Sequence, residues 1–180
     1  HMKEIKLDGL TFEEYISYET LIKRIEEIAH QINVAFAGKR PVFVVVLKGA
    51  FLFSSEIIKR FEGECEIEFV QLSSYQGTQS TNLIQEKLFV QSDMKDRDVI
   101  ILEDIVDTGH TLNYLLQRFR DMNVRSITSV VLLFKPEAFK YDYPLDYVAF
   151  QIPSDFVVGF GLDYNEKGRN ILGIYKLKNT

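Results

Sequence analysis

Three acids, two threonines, a glycine and a histidine crowd into residues 99–111, which read VIILEDIVDTGHT. Branched apolar residues run directly into Glu103 and Asp104, two more apolar residues follow, and then come Asp107, Thr108, Gly109, His110 and Thr111. Beyond them Leu112, Leu115, Leu116 and Phe119 recur at helical spacing. This pattern predicts a buried strand, an acidic exit and a small polar turn that opens a helix. Such a turn offers unpaired backbone N–H groups, and the helix dipole favours negative charge there. With its hydroxyls and a glycine that admits a ligand to the backbone, the turn has the chemistry of a phosphate cradle. Glu103 and Asp104 repel phosphate; they suit neutral hydroxyls or a divalent cation. A phosphate beside a pair of hydroxyls describes a ribose 5-phosphate. The bland alternative is that the two acids are solvated and Asp107 only caps a helix. Neither G-x-x-x-x-G-K-[ST] nor G-x-G-x-x-G is present, which argues against the common nucleotide loops.

The elements needed to position this turn are legible around it. A strand is predicted over 42–47, ending in Lys48-Gly49-Ala50, with a helix over 51–61. A lysine and glycine at a strand's carboxyl end suggest an anion site; an exposed loop lysine is the alternative. A strand over 127–134 ends in Lys135-Pro136, where the lysine either reaches a ligand oxygen or pairs with a nearby acid. A helix over 17–37 is expected from Leu21, Ile25, Ile28, Ala29, Ile32 and Phe36, with Ser17 as N-cap and Gly38 closing it. Residues 66–72 and 87–91 read as an antiparallel pair flanking a polar loop at 73–82. Short strands are expected at 147–150 and, on an edge, at 171–177; residues 3–15 give only a weak strand signal. Ligands in open α/β sheets sit beyond the carboxyl ends of parallel strands, so Glu103, Asp104 and Asp107 are well placed for chemistry.

Composition narrows the class. The chain has 180 residues, is 46% hydrophobic and 26% charged, and carries a net charge of −5. That gives no electrostatic support for nucleic-acid binding. No apolar run approaches membrane-spanning length. The single cysteine, Cys65, excludes an internal disulfide framework and suits a reducing, cytoplasmic setting.

Residues 99–111 resemble, at every position, the phosphoribosyl-pyrophosphate motif of type I phosphoribosyltransferases, most of all the hypoxanthine-guanine branch. The resemblance implies that family's fold: an α/β domain spanning 1–180, with a mainly parallel core at about 38–150. A small hood at about 151–180, joined by the N-terminal residues, and an antiparallel flexible-loop excursion would complete it. It also implies roles. Glu103 and Asp104 would hold the ribose hydroxyls, and Thr108, Gly109, His110 and Thr111 the 5-phosphate. Asp107 would be the general base at purine N7. The backbone of His110 is expected to matter and its imidazole not. Lys48 and Gly49, in a loop where the family often has a cis peptide after the residue matching Leu47, and Arg169 would hold pyrophosphate. Ser74 and Tyr75 match the lid pair, although Gln76 stands where many relatives have glycine. Lys135 would donate to the purine 6-oxygen, Phe156 stack on the base, and Val157 and Asp163 meet its edge. Magnesium would be held through Glu103, Asp104 and Asp163. The implied substrates are phosphoribosyl pyrophosphate and a 6-oxopurine, in a homodimer or homotetramer. A xanthine-preferring enzyme and a non-catalytic regulatory relative are the alternatives.

Overall fold

The computed structural model describes residues 3–76 and 82–179. Its frame is a six-stranded sheet in the order β5-β4-β3-β6-β7-β8, formed by β3 (Val42–Leu47), β4 (Glu66–Gln76), β5 (Asn82–Leu88), β6 (Asp98–Val106), β7 (Ser126–Phe134) and β8 (Tyr147–Gln151). All neighbouring pairs are parallel except β4 with β5. The reason lies in the side chains. In β3 both alternating sets are apolar, so both faces must be covered. Phe43 and Val45 join one core, with Ile100 and Leu102, beneath α1 (Tyr18–Ala35) and α2 (Phe51–Lys59). Val42, Val44 and Val46 join the other, with Val99 and Ile101, beneath α3 (His110–Asp121).

From β3 the chain crosses to β4 on one side; from β6 it proceeds to β7 and β8 on the other. The strand order therefore reverses between β3 and β6, and their carboxyl ends flank the crevice where ligands of such sheets bind.

A second sheet, entirely antiparallel, runs β1-β2-β10-β9 from β1 (Glu4–Leu7), β2 (Leu10–Ile16), β9 (Val157–Val158) and β10 (Ile174–Leu177). It joins the first residues of the chain to the last around Phe12, Val158 and Tyr175. The weak N-terminal signal is thus a hairpin, turned at Asp8-Gly9, both at positive φ.

Three expectations need correction. The last strand is not an edge: β10 pairs with β2 on one side and β9 on the other. Residues before Ile174 are used in a turn, where a Cβ on Gly173 would stand 2.9 Å from the Ile16 carbonyl. The returning strand lies at Asn82–Leu88 rather than 87–91, because Phe89 and Val90 leave the ladder to fill the core beneath α3. The polar segment at 73–82 is not all loop: β4 continues to Gln76 in register with β5, so Ser74 and the backbone of Tyr75 are strand, while 77–81 lie outside the described residues. Period-2 polarity there was masked by serines, which a solvated ladder tolerates. The helix expected over 17–37 is α1, with the Ser17 hydroxyl accepting from Thr20 N at 3.2 Å.

Candidate active site

Strand β6 carries the first part of the site. Its ladder with β7 runs on to Val106, so the acids lie within the strand and are not solvated loop residues. Consecutive strand residues leave on opposite faces. Glu103, 3% exposed, lines a cavity of about 100 Å³ with Asp107, Thr108, Gly109, His110 and Thr111. Asp104 faces the other way, against the β3–α2 loop: a Cβ on Gly49 would lie 1.8 Å from its carboxylate. Burial, with the Asp104 charge beside it, holds the Glu103 carboxyl well above the ordinary range. Asp104 is pushed up to about 6, chiefly by burial; backbone N–H groups and the Arg169 charge oppose that push, and Asp163 adds to it.

The turn after β6 opens α3 on a glycine. Gly109 is the N-cap of α3 at φ +90° and has no side chain with which to cap it. Asp107 is therefore not a capping residue, and the bland reading of it falls. His110 N donates to Thr108 Oγ1 at 3.3 Å, which shapes the turn. Glycine is required twice over at 109: φ is left-handed, and an added Cβ would meet the Phe139 ring at 2.4 Å.

Strand β7 delivers Lys135, whose backbone N–H donates to Val106 O at 3.0 Å. Its side chain is buried, and Nζ stands 3.8 Å from the exposed Asp107 carboxylate. Two groups separated by 28 positions in the chain are thus brought to one end of the crevice.

The opposite end belongs to the loop after β3 and the C-terminal segment. The Leu47–Lys48 peptide is cis. Lys48 Nζ lies 2.9 Å from Glu166, whose other oxygen is 3.2 Å from Arg169. Arg169 also donates to Gly161 O at 2.7 Å and lies 3.4 Å from Asp163. The second Asp163 oxygen accepts from Glu166 N at 2.8 Å. Gly161 packs on Gly49 so closely that a Cβ would sit 2.2 Å from its carbonyl oxygen. Phe156 is 45% exposed, its ring tilted against Phe12 and edge-on to Tyr164, and the neighbouring Val157 is buried. Ser74 stands out on β4; the side chain of Tyr75 lies outside the described residues.

Glu103, Asp104 and Asp163 each offer only oxygen donors, the kind a hard divalent cation takes, but Glu103 and Asp104 leave opposite faces of β6. Among the described residues no group of three or more His, Cys, Asp or Glu is clustered to hold an ion. Both observations fit a magnesium ion held by one or two carboxylates and completed by substrate oxygens, and do not fit an all-protein cage.

Three contributors were not assigned a role from the sequence. Glu166 bridges Lys48 and Arg169; its signal was its place, with Tyr164, Asn165 and Arg169, in a run that fits the family's pattern, without a role attached. Phe139 and Tyr141 wall the cradle; their signal was an unexplained run of aromatics in the loop before β8.

Residues 13–165 match the phosphoribosyl transferase domain, and the chain belongs to the phosphoribosyltransferase family. Within it the chain is similar to hypoxanthine-guanine phosphoribosyltransferases. That of Streptococcus thermophilus is 40% identical over 163 residues, covering 90% of this chain and 91% of the relative. The crystal structure of a hypoxanthine phosphoribosyltransferase from Staphylococcus aureus superposes with a TM-score of 0.87 at 38% identity, over 92% of this chain and 91% of the other. A hypoxanthine-guanine phosphoribosyltransferase from Bacillus anthracis, with a HEPES molecule in its active site, gives 0.86 at 34% identity over 98% and 99%.

Proposed function

We propose that the protein is a purine-salvage enzyme. It transfers the 5-phosphoribosyl group of phosphoribosyl pyrophosphate to N9 of hypoxanthine or guanine, giving IMP or GMP and pyrophosphate. The observation that carries this reading is the convergence, at the β3–β6 switch point, of three unlike subsites: a helix start on glycine, a buried lysine paired with an acid, and a loop lysine paired with the C-terminal segment.

Each subsite takes one part of the reaction. The backbone N–H groups and hydroxyls of 108–111 hold the 5-phosphate. Asp104 and Glu103 hold the ribose hydroxyls. Lys48, the Gly49 backbone and Arg169 hold the departing pyrophosphate. Asp104, Glu103 and Asp163 would hold magnesium, which when bound would neutralise the pyrophosphate charge. Lys135 donates to the purine 6-oxygen, Phe156 stacks on the ring and Val157 meets its edge through the backbone. The bond from C1 to the pyrophosphate oxygen breaks as the bond to N9 forms, and Asp107 accepts the proton from N7. The anomeric carbon gains positive charge on the way, so positioning and electrostatics supply most of the catalysis.

The reading treats the chain as one domain, its hood built from about 151–180 and the N-terminal hairpin. It includes self-association, supported by Phe51, Ile67 and Phe69, each more than two-fifths exposed around one apolar groove. No helix among the described residues is long and apolar enough to cross a membrane; a cytoplasmic site fits the lone cysteine.

The test is an assay with phosphoribosyl pyrophosphate, magnesium and each nucleobase in turn, following pyrophosphate release. Turnover is expected with hypoxanthine and guanine and little with adenine. A dominant xanthine rate would reassign the substrate, and silence with every base would overturn the proposal.

A further inference from the structure

The loop between β7 and β8 touches the cradle one residue at a time. Phe139 lies against Gly109, close enough to forbid any Cβ there. Lys140 N donates to Thr108 O at 2.9 Å. The Tyr141 hydroxyl meets His110 Nδ1 at 2.8 Å, with the two rings edge-to-face at 5.7 Å. The loop is itself braced: Phe139 packs edge-on against Phe134 and Tyr143, and Tyr141 against Tyr143. Three consecutive residues of one segment thus grip three consecutive residues of the turn. The same segment starts at Lys135, so the cradle and the buried lysine share one rigid connection.

The contact at His110 has a chemical consequence. A neutral imidazole has one donor and one acceptor nitrogen. A tyrosine hydroxyl that donates to Nδ1 fixes the hydrogen on Nε2, and the described residues offer Nε2 no partner of their own. A ring so held offers Nε2–H from the first residue of α3, which lines the cavity together with Thr108 and Thr111.

We propose that Tyr141 is a positioning residue: by donating to Nδ1 it holds His110 in the Nε2–H tautomer and makes its imidazole, as well as its backbone, a donor to the anion in the cradle. The inference rests on reading the cradle as a 5-phosphate site, and it reverses the expectation that this imidazole is idle. Aromatic packing alone would need the ring of Tyr141 but not its hydroxyl.

Tyr141→Phe separates the two, since it keeps the ring. Loss of one hydrogen-bonded donor is expected to raise the KM for phosphoribosyl pyrophosphate and the Kd for ribose 5-phosphate about 3- to 10-fold, with a smaller effect on kcat. Because Tyr141 acts through His110, the double variant with His110→Ala is expected to bind ribose 5-phosphate no more weakly than His110→Ala alone. Nitrogen-15 spectra of the unmodified protein decide the tautomer even if a variant folds poorly: Nε2–H supports the proposal, and Nδ1–H overturns it. Unchanged KM and Kd in Tyr141→Phe, or additive losses in the double variant, also overturn it. If ribose 5-phosphate binding responds as expected while no base is turned over, the transferase reading falls and this one stands. If turnover is normal and Tyr141→Phe changes nothing, only this one falls.

Discussion

Strand β6 has carboxylates at both ends, and they are treated in opposite ways. At its amino end Asp98 is buried, yet every oxygen is used: Arg125 donates at 3.1 and 2.7 Å and the Ser126 hydroxyl at 2.7 Å. The Arg125 bonds hold its carboxyl below the ordinary range. At the carboxyl end Glu103 is buried and Asp104 partly so, no described residue forms an ion pair with either, and burial pushes both upward. A buried charge is tolerated when paired and costly when not. Asp98 therefore spends its interactions on the fold. Glu103 and Asp104 have no such partner among the described residues, the arrangement expected where a ligand is to be held.

The comparison can be broken at several points. The largest effect is expected at Asp107, just beyond the acids: Asp107→Asn should lower kcat by about 100-fold or more if the carboxylate takes the N7 proton. Near-normal turnover would remove it from that role. Next is Lys135→Ala. Losing a buried donor to the 6-oxygen costs about 1–3 kcal/mol, so hypoxanthine kcat/KM should fall roughly tenfold or more with little change for adenine. Equal losses for both bases would end its recognition role.

A matched pair then sharpens the contrast between the two ends. Asp98→Asn should lower unfolding stability by about 1–3 kcal/mol in urea titration, with kcat/KM unchanged. Asp104→Asn should do the reverse, leaving stability level or improved while weakening phosphoribosyl pyrophosphate. If both variants lost stability alike, the division between the ends would be wrong. The smallest effect is the pH dependence of that difference. The folded-state pKa of Asp98 is depressed. Its contribution to stability is therefore complete above the unfolded carboxylate pKa and lost as pH falls through the lower folded value. The stability gap between the parent protein and Asp98→Asn should close in acid and stay constant from neutral pH upward.

What the sequence made legible follows physical rules of short range. β3, β6 and β7 announced themselves because doubly covered parallel strands are apolar on both faces, and α1 because its core stripe repeats at helical spacing. Lys48, Lys135 and the 107–111 turn were found because they sit at the ends of such strands. Long-range pairing was not legible. Nothing near Ile174 says that β10 lies between β2 and β9, since that depends on a hairpin more than 150 residues away. The opposed directions of Glu103 and Asp104 required knowing that β6 continues through them. The roles of Tyr141 and Glu166 were hidden for the same reason: their partners, His110 and Lys48, are remote in sequence.

The most direct measurement of the central claim is to incubate the protein with phosphoribosyl pyrophosphate, magnesium and hypoxanthine and to quantify both products, locating the new glycosidic bond by NMR. The expected result is one equivalent of nucleoside 5-monophosphate, joined at N9, for each pyrophosphate released. Pyrophosphate without nucleotide, a bond at another ring nitrogen, or no product at all would contradict it.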